Sequence, residues 1–153
     1  AASGKKNDII LEQAQDLYNN RKNKNKKSFD TNDFDISFSR GLSLEDGAAT
    51  LTDFTARIIG ESISQLLKDE KRVKDIIICG GGRKNITLLN FLNSYLHKKL
   101  NLKSIDDFEI NGDFVESQAF AFLAIRSYKE LPITFPNTTN CKKPSLGGVI
   151  IEN

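Results

Sequence analysis

Apolar residues recur at three- and four-residue spacing in four stretches of the chain, and each stretch predicts a helix. Ile9, Ile10, Ala14, Leu17 and Tyr18 mark a short amphipathic helix over Asp8–Asn19, with Asp8 placed to cap its start. Ala48, Leu51, Phe54, Ile58, Ile59, Ile63, Leu66 and Leu67 form a longer stripe, which predicts a helix over 46–67. A third helix is expected over 85–100, through Ile86, Leu89, Phe91, Leu92, Tyr95 and Leu96, and a strongly apolar fourth over 114–128.

The pattern changes at residues 73–79, Val-Lys-Asp-Ile-Ile-Ile-Cys, a compact β-branched run of strand length. It predicts a buried central strand, with Ile77 in the interior, that stops on Gly80-Gly81-Gly82. A second short strand is expected within 102–108, centred on 103–105, and a terminal strand over 146–151. Pro132, Pro136, Pro144 and the polar run 137–140 make 131–144 mostly irregular, and the lysine- and asparagine-rich run 21–27 reads as a solvated loop. Helices alternating with strands in this way predict an α/β layered domain.

Length and composition narrow the picture. A chain of 153 residues, 39% hydrophobic and 27% charged, is the size of one ordinary domain with a core, and short for a two-lobed enzyme. Its 22 basic and 20 acidic residues leave a net charge of +2, too small a field to favour nucleic acid or an anionic membrane as partner. Cys79 and Cys141 are far apart and have no histidine cluster beside them, so no metal site or disulfide framework is expected and a reducing cytoplasm fits best. No run approaches the roughly 20 apolar residues of a membrane-spanning helix. The chain contains no methionine, which points to a piece of a longer protein.

Candidate chemistry gathers at two places. Gly80-Gly81-Gly82 lies between a strand and a helix, where bare backbone can approach a phosphate or nucleotide. The spacing is neither a dinucleotide fingerprint nor a P-loop, and a glycine turn also serves structure alone, so the residues leave both roles open. Glu116 follows Gly112-Asp113 at the start of an apolar helix; a carboxylate there suits the helix dipole, and it also suits a cleft wall that holds sugar hydroxyls. His97, beside Lys98 and Lys99, reads as a surface residue, and Cys79 as a small core residue without chemistry.

Four blocks, in order, resemble the anhydro-N-acetylmuramic acid kinases of the actin-like, sugar kinase and heat-shock ATPase superfamily. They are Leu-Glu-Asp-Gly-Ala-Ala-Thr-Leu-Thr-Asp-Phe-Thr-Ala at 44–56, Cys-Gly-Gly-Gly-Arg-Lys-Asn at 79–85, Gly-Asp-Phe-Val-Glu-Ser-Gln-Ala-Phe-Ala-Phe-Leu-Ala-Ile-Arg at 112–126, and Leu-Pro-Ile-Thr-Phe-Pro-Asn-Thr-Thr-Asn at 131–140, closing with Gly147-Gly148. The resemblance implies an actin-like ATPase (ribonuclease H-like) lobe, a mixed sheet with flanking helices, forming the C-terminal, nucleotide-side half of a two-lobed enzyme. It implies ATP and magnesium as cofactors, Gly80, Gly81, Gly82 and Asn85 against the nucleotide, and Glu116 against the sugar. The intact enzyme would convert 1,6-anhydro-N-acetylmuramic acid, with water, to N-acetylmuramic acid 6-phosphate in peptidoglycan recycling. The N-terminal lobe, in cis or in trans, would carry the general base, so this chain alone is expected to be inactive. A non-catalytic lobe kept as a binding module is the competing reading, and the oligomeric state, a homodimer included, stays open. The chain departs from the family pattern where Thr31 stands for an arginine and Asn140 for a glycine.

Overall fold

A computed structural model describes residues 1–20 and 31–151. The loop expected over 21–27 lies outside the described residues. The chain divides into two compact units, one of Ala1–Arg21 with Asp35–Asp113, the other of Lys22–Phe34 with Phe114–Asn153.

The first unit opens with α1, Asp8–Asn19, as the periodicity predicts. Its cap is Asn7 rather than Asp8: the Asn7 side chain accepts from the Ile10 amide at 3.1 Å, and Asp8 adds charge in the first turn. The long helix α2, Leu44–Leu66, is capped by Ser43. It packs against α3, Ile86–Tyr95, and against α1.

The buried side of α2 is not the stripe of large apolar residues. Phe54 is buried, edge-on to Phe38 and Tyr18 with ring centroids 4.9 and 6.4 Å away, but the other buried positions are Gly47, Ala49, Thr50, Asp53, Ala56 and Gly60. Small side chains let the helices approach closely. A β-carbon on Gly60 would sit 2.6 Å from that of Tyr95. Asp53 is fully buried and stays satisfied: the Tyr95 hydroxyl donates to it at 3.0 Å and the Lys6 ammonium at 3.1 Å.

After α2 come β1, Lys74–Ile78, and β2, Leu100–Ser104, paired in parallel with Ile76 opposite Leu102. This parallel pair is the whole sheet of the described residues, in place of the mixed sheet expected. The second strand comes earlier than expected, and Ile105–Phe108 is a 3₁₀ turn fixed by a capping box between Ser104 and Asp107.

The buried central strand is a misreading. Ile76 and Ile78 are half-buried, but Ile77 is 50% exposed and Cys79 is exposed. One face of the pair is open, and it carries Asp75, which pairs across the strands with Lys103 at 2.6 Å. Strand side chains alternate between faces, so a continuous isoleucine run covered on one side buries every second residue.

The second unit contains α4, Val115–Tyr128, and a short helix α5, Pro136–Thr139, within the region expected to be irregular. No residue of α4 is buried. Residues 146–151 form no strand; among the described residues of this unit the one bridge is antiparallel, between Thr134 and Ser145. Arg126 donates to the Pro132 carbonyl at 2.8 Å and lies over the Phe122 and Phe135 rings, while the Ser127 hydroxyl donates to the Gly147 carbonyl at 2.6 Å. Asn140 ends α5 with φ +61°, in the left-handed region where glycine is favoured and asparagine tolerated. The departure from glycine therefore preserves the turn.

Candidate functional site

The loop after β1 turns at Gly80, whose φ of +75° is open to glycine and costly for other residues. Gly81–Lys84 forms one 3₁₀ turn, and Asn85 then caps α3, its side-chain oxygen accepting from the Leu88 amide at 3.0 Å. Strand, glycine turn and helix thus follow one another as the residue pattern predicts. Asn85 has a structural task of its own in addition to any contact with a ligand.

Of the three glycines, the fold itself requires only one. Backbone conformation accounts for Gly80. Gly82 faces Leu88 at an ordinary 3.6 Å, which leaves room for a β-carbon. Gly81 has no positive φ and no heavy atom within 4 Å of where its β-carbon would stand, so neither conformation nor packing accounts for it. Beside the turn, Leu51, Thr52 and Thr55 of α2 with Asn85 and Leu88 line an open depression of about 190 Å³. Ligand pockets begin near 300 Å³, so a depression of this size can serve as one wall of a site and not as a complete one.

What braces the turn is Arg83, a residue to which the sequence pattern assigns no role. Its side chain is only 5% exposed. Nε and Nη2 donate to the two oxygens of Asp106 at 2.5 and 3.2 Å, and Nη1 donates to Asp113 at 2.7 Å and to the Gly80 carbonyl at 3.0 Å. Asp106 also accepts from the Gly112 amide at 3.0 Å, Lys84 pairs with Asp113 at 2.6 Å, and the Gly80 amide donates to the Gly112 carbonyl at 3.2 Å. A β-carbon on Gly112 would run into the guanidinium, 2.7 Å from Cζ.

The Arg83 and Lys84 bonds hold the Asp113 carboxyl down at about 2, and the Arg83 fork holds Asp106 well below the usual carboxylate range. The aspartates in turn push the guanidinium up. All three groups are therefore charged across the neutral range. The sequence shows an arginine inside a glycine loop and acidic residues at 106, 107 and 113, and no local pattern joins them.

Gly80, Gly81, Gly82 and Asn85 thus lie together in the first unit. Glu116 is in the second unit, in the first turn of α4, exposed. Phe114, the residue before that helix, supplies no side-chain cap, so the carboxylate of Glu116 stands where it offsets the helix dipole, and it is open to solvent. Cys79 is exposed rather than a core residue, and His97 is exposed as expected. Among the described residues no group of three or more His, Cys, Asp or Glu could hold a metal ion, and no helix is long and apolar enough to cross a membrane.

A family model for anhydro-N-acetylmuramic acid kinase matches residues 4–153. A protein of that description from Pelagibacter ubique (strain HTCC1062) is 54% identical over 151 residues, covering 98% of this chain and 40% of the relative. Relatives of the same description from Zymomonas mobilis and Rhizobium rhizogenes are 44% and 42% identical over 81% and 82% of the chain. The chain spans well under half the length of these curated relatives, 40%, 33% and 33%.

Proposed function

The chain belongs to the anhydro-N-acetylmuramic acid kinase family, and on that premise we propose that it forms the nucleotide-side wall of an ATP-dependent sugar kinase of actin-like ATPase fold. The whole protein would convert 1,6-anhydro-N-acetylmuramic acid, with water, to the 6-phosphate in cytoplasmic peptidoglycan recycling. The observation that carries this reading is Gly81. It is a glycine that neither its backbone conformation nor its packing requires, and it borders open space at a strand end. Close approach of a ligand to bare backbone supplies the missing reason.

ATP fits the residues present. The glycine turn offers unhindered backbone, and the neighbouring depression offers leucine and threonine side chains for an apolar ring with polar edges. Gly80, Gly81, Gly82 and Asn85 would line the nucleotide, and Glu116 would accept hydrogen bonds from the sugar. Magnesium would be carried mainly by phosphate and water. ATP with magnesium supplies the phosphoryl group, whose transfer relies on positioning and charge neutralisation. The work of this chain is to orient the nucleotide and exclude water from it, and the general base is assigned to residues outside the chain.

The test is Gly81→Val in the natural-length protein. ATP affinity should fall at least tenfold, as a side chain enters the space assigned to the nucleotide, with the melting temperature little changed. Unchanged ATP affinity in the folded variant removes the turn from the site. In parallel, Glu116→Gln should disturb sugar use more than nucleotide affinity, and unchanged sugar kinetics would leave Glu116 a purely structural charge.

A further inference from the structure

The bonds of Arg83 decide which way one peptide group faces. The Gly80 carbonyl accepts from Nη1 of Arg83 at 3.0 Å and from the Arg83 amide at 3.3 Å, so it points toward the guanidinium. In a planar trans peptide the carbonyl and the following N–H point in opposite directions, and no peptide bond among the described residues is cis. The Gly81 N–H is therefore turned away from Arg83, and Gly81 is an exposed residue. No described residue accepts from it.

We propose that Arg83 is a positioning residue for the nucleotide: by holding the Gly80 carbonyl it aims the Gly81 amide outward as a donor to a phosphate oxygen of the ligand. This rests on the reading of the glycine turn as a nucleotide site.

The surroundings suit a fixed donor. Arg83 is itself held by the two oxygens of Asp106 and by Asp113, and the buried guanidinium has no room to swing. The Gly80 amide is held from the other side by the Gly112 carbonyl, so both halves of the turn's first residue are pinned. A donor whose direction is set before binding needs no reorganisation when charge arrives. Lysine cannot replace the fork: its single ammonium can reach one aspartate or the carbonyl but cannot hold all three in one plane.

The experiment measures ATP and adenosine affinities of the natural-length protein, its Arg83→Lys variant and its Gly81→Val variant, with melting temperatures. A donor aimed at phosphate predicts that Arg83→Lys weakens ATP about tenfold, the size of one charged hydrogen bond, and leaves adenosine within twofold. Equal loss for both ligands, or loss for neither, overturns the proposal, since a merely structural arginine would not separate them. Gly81→Val tests the underlying reading on its own. If it leaves ATP unchanged, the turn is not the site. If it weakens ATP while Arg83→Lys leaves the ATP-to-adenosine ratio as it was, only the role of Arg83 falls. Should Arg83→Lys not fold, Asp113→Asn loosens the same Nη1 contact, and its expected signature is a smaller shift in the same ratio; an unmoved ratio there equally overturns the proposal.

Discussion

Two helices of this chain are long and rich in apolar residues, yet α2 buries seven of its residues and α4 buries none. The difference lies in how the apolar residues are distributed. The buried face of α2 is built from Gly47, Ala49, Ala56 and Gly60 with Phe54 and a satisfied polar pair, and α3 and α1 cover it. On α4 the run Phe120, Ala121, Phe122, Leu123, Ala124, Ile125 goes round the helix without a polar side. Its large residues stay open, Phe122 at 59%. Apolar content states how much a helix can bury, and small residues at the right spacing state what it can bury against.

The largest effect that tests this contrast is one change made in each helix. Phe54→Ala should cost about 3 to 5 kcal/mol, because it empties the aromatic cluster with Phe38 and Tyr18. Phe122→Ala in the same 153-residue chain should cost no more than about 1 kcal/mol, the scale of an exposed ring's contact with Arg126. Denaturant titration of both variants decides it, and equal costs would break the contrast.

A smaller effect is expected from Gly60→Val. The new side chain meets Tyr95 and Leu92, which should push α3 from α2 at a cost of about 1 to 3 kcal/mol. A variant as stable as the parent would mean that the two helices are not in close contact in solution.

The smallest effect lies in pH. Burial, and then the charge of Asp53, raise the Tyr95 hydroxyl above its usual 10.0. A raised folded value means stability that is whole below pH 10 and is lost as pH climbs from there through the folded value. Alkaline titration of the melting temperature should therefore show a decline above about pH 10 that Tyr95→Phe reduces.

The helices and the strand–glycine–helix unit were legible because each depends on local signals: periodicity, a β-branched run, and Asn85 in position to cap. The terminal strand over 146–151 was not, because among the described residues the only bridge near it, Thr134 with Ser145, stops short of it. Ile77 was misplaced because isoleucine runs look alike whether one face or both are covered. For the same reason the contact face of α2 escaped a reading based on large residues, which ranks Leu66 above Ala56. At the candidate site the glycines could be seen and their support could not. Arg83 meets Asp106 and Asp113 across 23 and 30 residues, and no local rule connects positions so far apart.

The space that Arg83 occupies beside Gly112 also constrains the order in which this sequence can change over generations. With arginine at 83, any side chain at 112 collides with the guanidinium. With a short residue at 83, position 112 gains room, but Asp106 and Asp113 lose their shared partner. Neither substitution is neutral as a first step. The two positions are thus sterically linked, and a side chain at 112 finds room only once the arginine is gone.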